Sequence, residues 1–162
     1  MIGIDLAVES EGWAALGDAA AAEALARRAV KAALAVAGRP PEEEPSLSLL
    51  LAGDEAVRAL NRAFRGQDKP TNVLSFPAAP QPGGPGPCPL GDIALAFETV
   101  AGEAESEGKT LADHAAHLIV HGVLHLLGYD HGTEAEAERM EALEVEALAR
   151  LGIADPYREM AA

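Results

Sequence analysis

Four of the five histidines of this 162-residue chain stand at positions 114, 117, 121 and 125. Steps of three, four and four put them on one face of a helix that turns about 100° per residue. Between Ala115 and Leu127 all remaining residues are apolar or glycine. A helix apolar all round is a buried one, so the stripe places polar chemistry inside a core. The segment HGVLHLLGYDH, from His121 to His131, defines that chemistry further. His121 and His125, at i and i+4, can aim both imidazoles at one metal ion. His131 must reach the same ion from beyond the helix end, and Gly128 stands where the chain has to turn back. Three neutral nitrogen ligands with a fourth position open to water make a catalytic zinc site. Imidazoles without carboxylate or thiolate favour zinc over iron or copper.

The same spacing, H-x-x-x-H-x-x-G-x-x-H, occurs in metzincin proteases, which carry a general-base Glu directly after the first His. Here that position is Gly122. A water of lowered pKa on zinc still supplies a nucleophile, but the protease's proton acceptor is missing. Asp130 is the nearest replacement, as base or as a group orienting a ligand imidazole. Equally, it is an aspartate that stabilises the turn. His114 and His117 read as core histidines that buttress the site.

HGVLHLLGYDH resembles the signature of the YbeY family, bacterial rRNA maturation factors regarded as single-strand-specific, metal-dependent endoribonucleases. LNRAFRGQDKPTNVLSFP (60–77), LGDIALA (90–96) and the tail EALEVEALARLGIADPY resemble further blocks of that family. The resemblance spans roughly residues 46 to 158 and leaves out the proline-rich stretch 78–89. It implies that His121, His125 and His131 are metal ligands. It also implies that Arg65 binds substrate phosphate or stabilises the transition state. The implied activity is cleavage of rRNA, at the 3′ end of 16S rRNA, in ribosome biogenesis and quality control. The implied partners are the small ribosomal subunit and its assembly proteins, with neither DNA nor membrane involved.

Charge complicates an RNA substrate. Twelve basic and 26 acidic residues leave a net charge of −14, which opposes phosphate binding if spread evenly. It is not spread evenly. Residues 27–69 hold eight basic and six acidic residues, net +2, and the rest of the chain carries four and twenty, net −16. Arg58, Arg62 and Arg65 share one helix face, with Lys69 close behind. A guanidinium holds phosphate bidentately; of these cations the resemblance singles out Arg65 as the catalytic group and leaves Arg58, Arg62 and Lys69 as weaker RNA contacts. Long-range capture of naked RNA should be weak, and delivery by the ribosome or a partner is expected.

The elements that must position these groups read as follows. Ile2 to Val8 alternates as a strand. Asp18 caps a helix through the alanine-rich stretch to about Ala37, closed by Gly38 and Pro40-Pro41. Glu42-Glu43-Glu44 is a solvated loop, and Ser46 to Ala52 a buried strand. A helix follows with Asp54 as N-cap, Gly66 past its end, and Val57, Leu60 and Phe64 as its apolar face. Thr71 to Phe76 is a strand, 77–91 a Pro/Gly-rich flexible loop, and Asp92 to Val100 a strand again. Two helices finish the chain, from about Lys109 to Leu127 and from Thr133 to about Leu151, the latter with a Thr133/Glu136 capping box. The expectation is one α+β domain, residues 1–162, with a small mixed sheet of about four strands. Helices pack on it around a central histidine-bearing helix with a zincin-like metal site.

No stretch approaches the roughly 18–20 apolar residues of a membrane span. The acidic start MIGIDLAVESEGW shows no signal-peptide pattern, and a cytoplasmic protein is expected. Cys88, the one cysteine, reads as a spectator thiol in a loop. Two other functions fit the same residues. One is a metalloprotease or small-molecule hydrolase, which the missing Glu at 122 opposes. The other is a ribosome-assembly protein that acts by binding, its zinc structural.

Overall fold

The computed structural model describes residues 2–39, 45–78 and 88–157. The strands are β1 (Gly3–Val8), β2 (Pro45–Ala52), β3 (Val73–Pro77) and β4 (Cys88–Ala96), and a 3-10 helix spans Glu11–Leu16. The α-helices are α1 (Ala19–Val36), α2 (Asp54–Arg65), α3 (Phe97–Ser106), α4 (Leu111–Leu126) and α5 (Glu134–Arg150). The loop expected at Glu42–Glu44 and the middle of the Pro/Gly-rich loop, 79–87, lie outside the described residues. Among the described residues no helix is long and apolar enough to cross a membrane.

The sheet runs β1-β2-β4-β3, with β1, β2 and β4 parallel and β3 antiparallel to β4. A mixed four-stranded sheet with helices is the α+β arrangement expected. Alternation along the strands sorts the apolar side chains to two faces. Leu47, Leu49, Leu51, Ile93 and Leu95 join the core shared with α1, α4 and α5. Ala52, Leu74, Ala94 and Ala96 face the other way, onto Val57 of α2. Pro77 is tolerated in β3 because β3 is an edge strand.

Two boundaries differ from the sequence expectation. Strand β4 begins at Cys88, four residues into the expected loop, so Cys88 is a half-buried strand residue and not a loop thiol. It ends at Ala96, and the segment expected to continue it as a strand to Val100 turns into α3. The cause is tertiary. Asp54 and Glu98 stand in the first turns of α2 and α3, and each serves the other's helix. Glu98 Oε1 accepts from Asp54 N at 2.8 Å, and Asp54 Oδ1 accepts from Thr99 N and Oγ1, both at 2.9 Å. This exchange satisfies orphan N–H groups at both helix starts. It also corrects the expected N-cap of α2, which is Gly53, with Asp54 as the first helical residue. Phe64, expected on the buried face of α2, is 70% exposed, while Val57 is fully buried.

Other local signals act as expected. Asp18 accepts from Ala21 N at 2.8 Å at the start of α1, and Thr133 accepts from Glu136 N at 3.1 Å at the start of α5. The alanine face of α1 (Ala22, Ala26, Ala29, Ala33) is buried against its neighbours, and small side chains let helix axes approach closely. Helix α4 is the centre of the fold, packed on α1, α3, α5, β3 and β4. From His114 to Val120 every residue is buried.

Candidate metal centre and its cleft

The last turn of α4 carries His121 and His125, and its exit places His131. Leu127 caps the helix, Gly128 follows at φ +99°, Gly128 N donates to His125 O, and Tyr129 N donates to Leu124 O, each at 3.0 Å. This is a Schellman closure, and its left-handed residue favours glycine. The chain thereby doubles back, and His131 comes beside the helix. The ring centroids lie 4.6 Å apart for His121 and His125, 5.2 Å for His125 and His131, and 5.8 Å for His121 and His131.

One nitrogen from each ring lies within 4.8 Å of the others, so the three form a group able to hold a metal ion. The donor set suits a borderline cation such as zinc, being all imidazole with no thiolate. Burial first, then the neighbouring His121 and His131, holds His125 below the ordinary histidine range. That favours the neutral ring a metal needs.

The trio opens onto a cleft of about 620 Å³ that Arg65, Asn72, Ser75 and Asp130 also line. Arg65 arrives from the C-terminal end of α2, across the β3 edge. Its Nη2 donates to Ser75 O at 3.2 Å, and its Cζ lies 6.0 Å from the Phe76 ring centroid. Arg58, Arg62 and Lys69 are not among the lining residues. Arg58 is held bidentately by Asp68, at 2.8 and 3.1 Å. Asp130 lies in the cleft wall and accepts from His131 N at 2.7 Å, which steadies the turn carrying that histidine.

Gly122 occupies the position of the protease base. A Cβ there would lie 3.1 Å from both Ile93 Cδ1 and Ser75 Oγ. Its missing side chain lets α4 press onto β3 and β4, where Ser75 Oγ donates to Gly122 O at 3.4 Å. A glutamate at 122 would begin against the sheet.

The family model described as Endoribonuclease YbeY matches residues 8–152. The chain belongs to the endoribonuclease YbeY family. An Endoribonuclease YbeY of Azorhizobium caulinodans is 54% identical over 154 residues, covering 95% of each chain. One of Allorhizobium ampelinum is 51% identical over 160 residues, covering 95% of this chain and 93% of that one. The solution structure of TM1509 from Thermotoga maritima superposes with a TM-score of 0.55, covering 98% of this chain and all of that one. At 24% identity it shows a shared fold alone. The YbeY match extends through α1 and β1's end, beyond the stretch from residue 46 on which the sequence resemblance rested.

Glu144 and Tyr157, which support this YbeY-family site, escape a reading of the sequence. Glu144 on α5 is 1% exposed, buried with Met140, Ala147 and Leu148. Its Oε1 lies 2.6 Å from His117 Nε2 and accepts from Tyr157 OH at 2.8 Å, and its Oε2 lies 3.3 Å from His121 Nδ1. With Nδ1 engaged, Nε2 is the nitrogen that His121 has left for a metal. Burial alone would raise the Glu144 carboxyl. The hydrogen bonds of His117 and His121, the charge of His121 and the Tyr157 hydroxyl outweigh it and hold the group at about 2. Burial and then Glu144 raise Tyr157, which stays a donor. His117 therefore buttresses the site through Glu144. His114 belongs to a separate pair with Glu103 at 2.9 Å, and Glu103 also accepts from Asn72 in the cleft wall at 3.0 Å. The available sequence signal was a carboxylate on the apolar stripe Met140-Glu144-Ala147-Leu148.

A carboxylate behind a ligand histidine fixes ring orientation, and its loss typically lowers metal affinity about 10–100-fold. Glu144→Gln is expected to weaken zinc binding by roughly that factor, read by competition with a chromophoric chelator. Unchanged affinity would show that Glu144 serves packing only.

Proposed function

We propose that this chain is a single-strand-specific, zinc-dependent endoribonuclease. It acts in the cytoplasm on rRNA, at the 3′ end of 16S rRNA, in ribosome biogenesis and quality control. The observation that carries this reading is the meeting of three histidines and one arginine in a single open cleft, in a chain of the endoribonuclease YbeY family. His121, His125 and His131 hold one zinc ion. When bound, zinc supplies Lewis acidity, which lowers the pKa of water and polarises a phosphoryl oxygen.

The protein's own groups do the rest. Arg65, braced by Ser75 O, presents its guanidinium to the scissile phosphate and stabilises the charge that builds there. Asp130 holds the His131 turn in place. Glu144 keeps the His121 ring oriented. Arg62 and Lys69 are weaker contacts for the flanking strand. Arg58 contributes less, because Asp68 already engages it. The partners are RNA and the small ribosomal subunit with its assembly proteins. The ribosome supplies the capture that an acidic chain does not.

A protease reading is disfavoured by Gly122, which stands where the protease carries its glutamate and packs against Ile93 and Ser75. A purely structural zinc is disfavoured by where the trio sits. The histidines stand at the rim of a cleft, and the core beneath them closes through apolar contacts. Chelation is accordingly expected to abolish cleavage of a single-stranded oligoribonucleotide, leave the helical circular dichroism intact, and permit recovery with added zinc. Unfolding on chelation, or cleavage of unstructured protein instead of RNA, would overturn the reading.

A further inference from the structure

The one large apolar side chain that α2 exposes, Phe64, lies next to the arginine of the cleft. Aromatic residues make up only 4% of this chain. Trp13 and Phe97 stack edge to face within the fold, and Phe76 is half-buried on β3. Phe64 is different, at 70% exposed. Its ring lies against Phe76, with centroids 5.5 Å apart and planes tilted by 60°. The same Phe76 ring lies 6.0 Å from the Arg65 guanidinium carbon. Phe64, Phe76 and Arg65 thus form one aromatic and cationic row at the β3 edge, and of the three Arg65 lines the histidine cleft, with the two rings just outside it. Asp68, the nearby acid that would repel a phosphate, is engaged by Arg58 at 2.8 Å.

We propose that Phe64, backed by Phe76, is a stacking platform for one base of the RNA strand whose phosphate Arg65 holds. This rests on the endoribonuclease reading above and adds to it a determinant of strand specificity. An aromatic face beside a cation is the usual way to bind a single strand without reading its sequence, because every base has a π face. A base within a duplex has both faces covered by its neighbours and cannot use the platform unless it is unstacked. Single-strand preference is then a property of Phe64, and phosphate chemistry a property of Arg65 and the metal centre.

The zinc-loaded protein and its Phe64→Ala, Phe64→Leu and Phe64→Trp variants are compared on oligoribonucleotides, each bearing one abasic nucleotide at a different position. Stacking of one base is lost in the Ala and Leu variants, so KM is expected to rise roughly 5- to 100-fold with kcat little changed. Trp is expected to retain the wild-type KM. In the wild type, one abasic position should impose a similar loss, and in Phe64→Leu that position should cease to matter. Leu keeps the side chain apolar without a π face, so a merely greasy contact would leave it active. Wild-type KM in Phe64→Leu, or abasic and Leu effects that simply multiply, would overturn the platform while leaving the endoribonuclease reading in place. Failure of the zinc-loaded wild type to bind or cleave any of the oligoribonucleotides would overturn both. Because Phe64 projects into solvent, the variants are expected to fold, which circular dichroism checks.

Discussion

His125→Ala is expected to reduce bound zinc from one ion per chain to background and to abolish cleavage of single-stranded RNA. The fold is expected to remain. His125 sits in the last turn of α4, half-buried, with its ring 4.6 Å from that of His121 and 5.2 Å from that of His131. Two imidazoles remain after the substitution, and two monodentate ligands hold zinc far more weakly than three. The helix loses nothing that maintains it, because Ala is the best helix former and the core below is apolar. Metal analysis of protein purified without added metal, with thermal unfolding alongside, checks both halves. Retained zinc in His125→Ala would mean that the trio is not the metal site.

Arg65→Ala is expected to lower the cleavage rate by about 10²–10³-fold, the usual loss of a preorganised donor to transition-state charge. Zinc content and thermal stability should not change. The side chain is exposed, and its links are the Ser75 carbonyl and the Phe76 ring. Deleting it leaves no charge buried without a partner, so stability is spared. Arg65→Lys should recover only part of the rate, because an ammonium lacks the planar fork that grips two phosphate oxygens. The contrast with His125→Ala is diagnostic. One variant loses metal and activity together, while the other keeps the metal and loses the rate. Full activity in Arg65→Ala would remove the phosphate-binding role and, with it, the anchor of the neighbouring base platform.

The histidine trio was legible in the sequence because its geometry is almost wholly local. Two of the histidines lie one helical turn apart, and Gly128 turns the third back within six residues. Helix caps at Asp18 and Thr133 were legible for the same reason. Helix α3 was not. Its first residues continue the apolar alternation of β4, and the group that caps it, Asp54, lies 45 residues earlier. Glu144 was hidden too, because a glutamate on a highly acidic helix reads as solvated until His117, His121 and Tyr157 close over it. The arginines of α2 share a face in sequence. The resemblance singled out Arg65, and the packed structure supplies the physical difference: Arg58 is engaged by Asp68, while Arg65 reaches the cleft.

What the amino-acid sequence determined by itself, then, was the histidine cluster: three imidazoles in a spacing that a helix and one glycine turn bring together. It determined the mixed α+β pattern as well, through strand alternation and helix caps. Tertiary structure decided which cation faces the histidine cleft, which carboxylate stands behind the histidines, and why a glycine at position 122 suits the close packing on Ile93 and Ser75. Those outcomes depend on contacts between segments tens of residues apart. Burial and desolvation at such contacts change what a charged or aromatic side chain can do, and no local pattern records them.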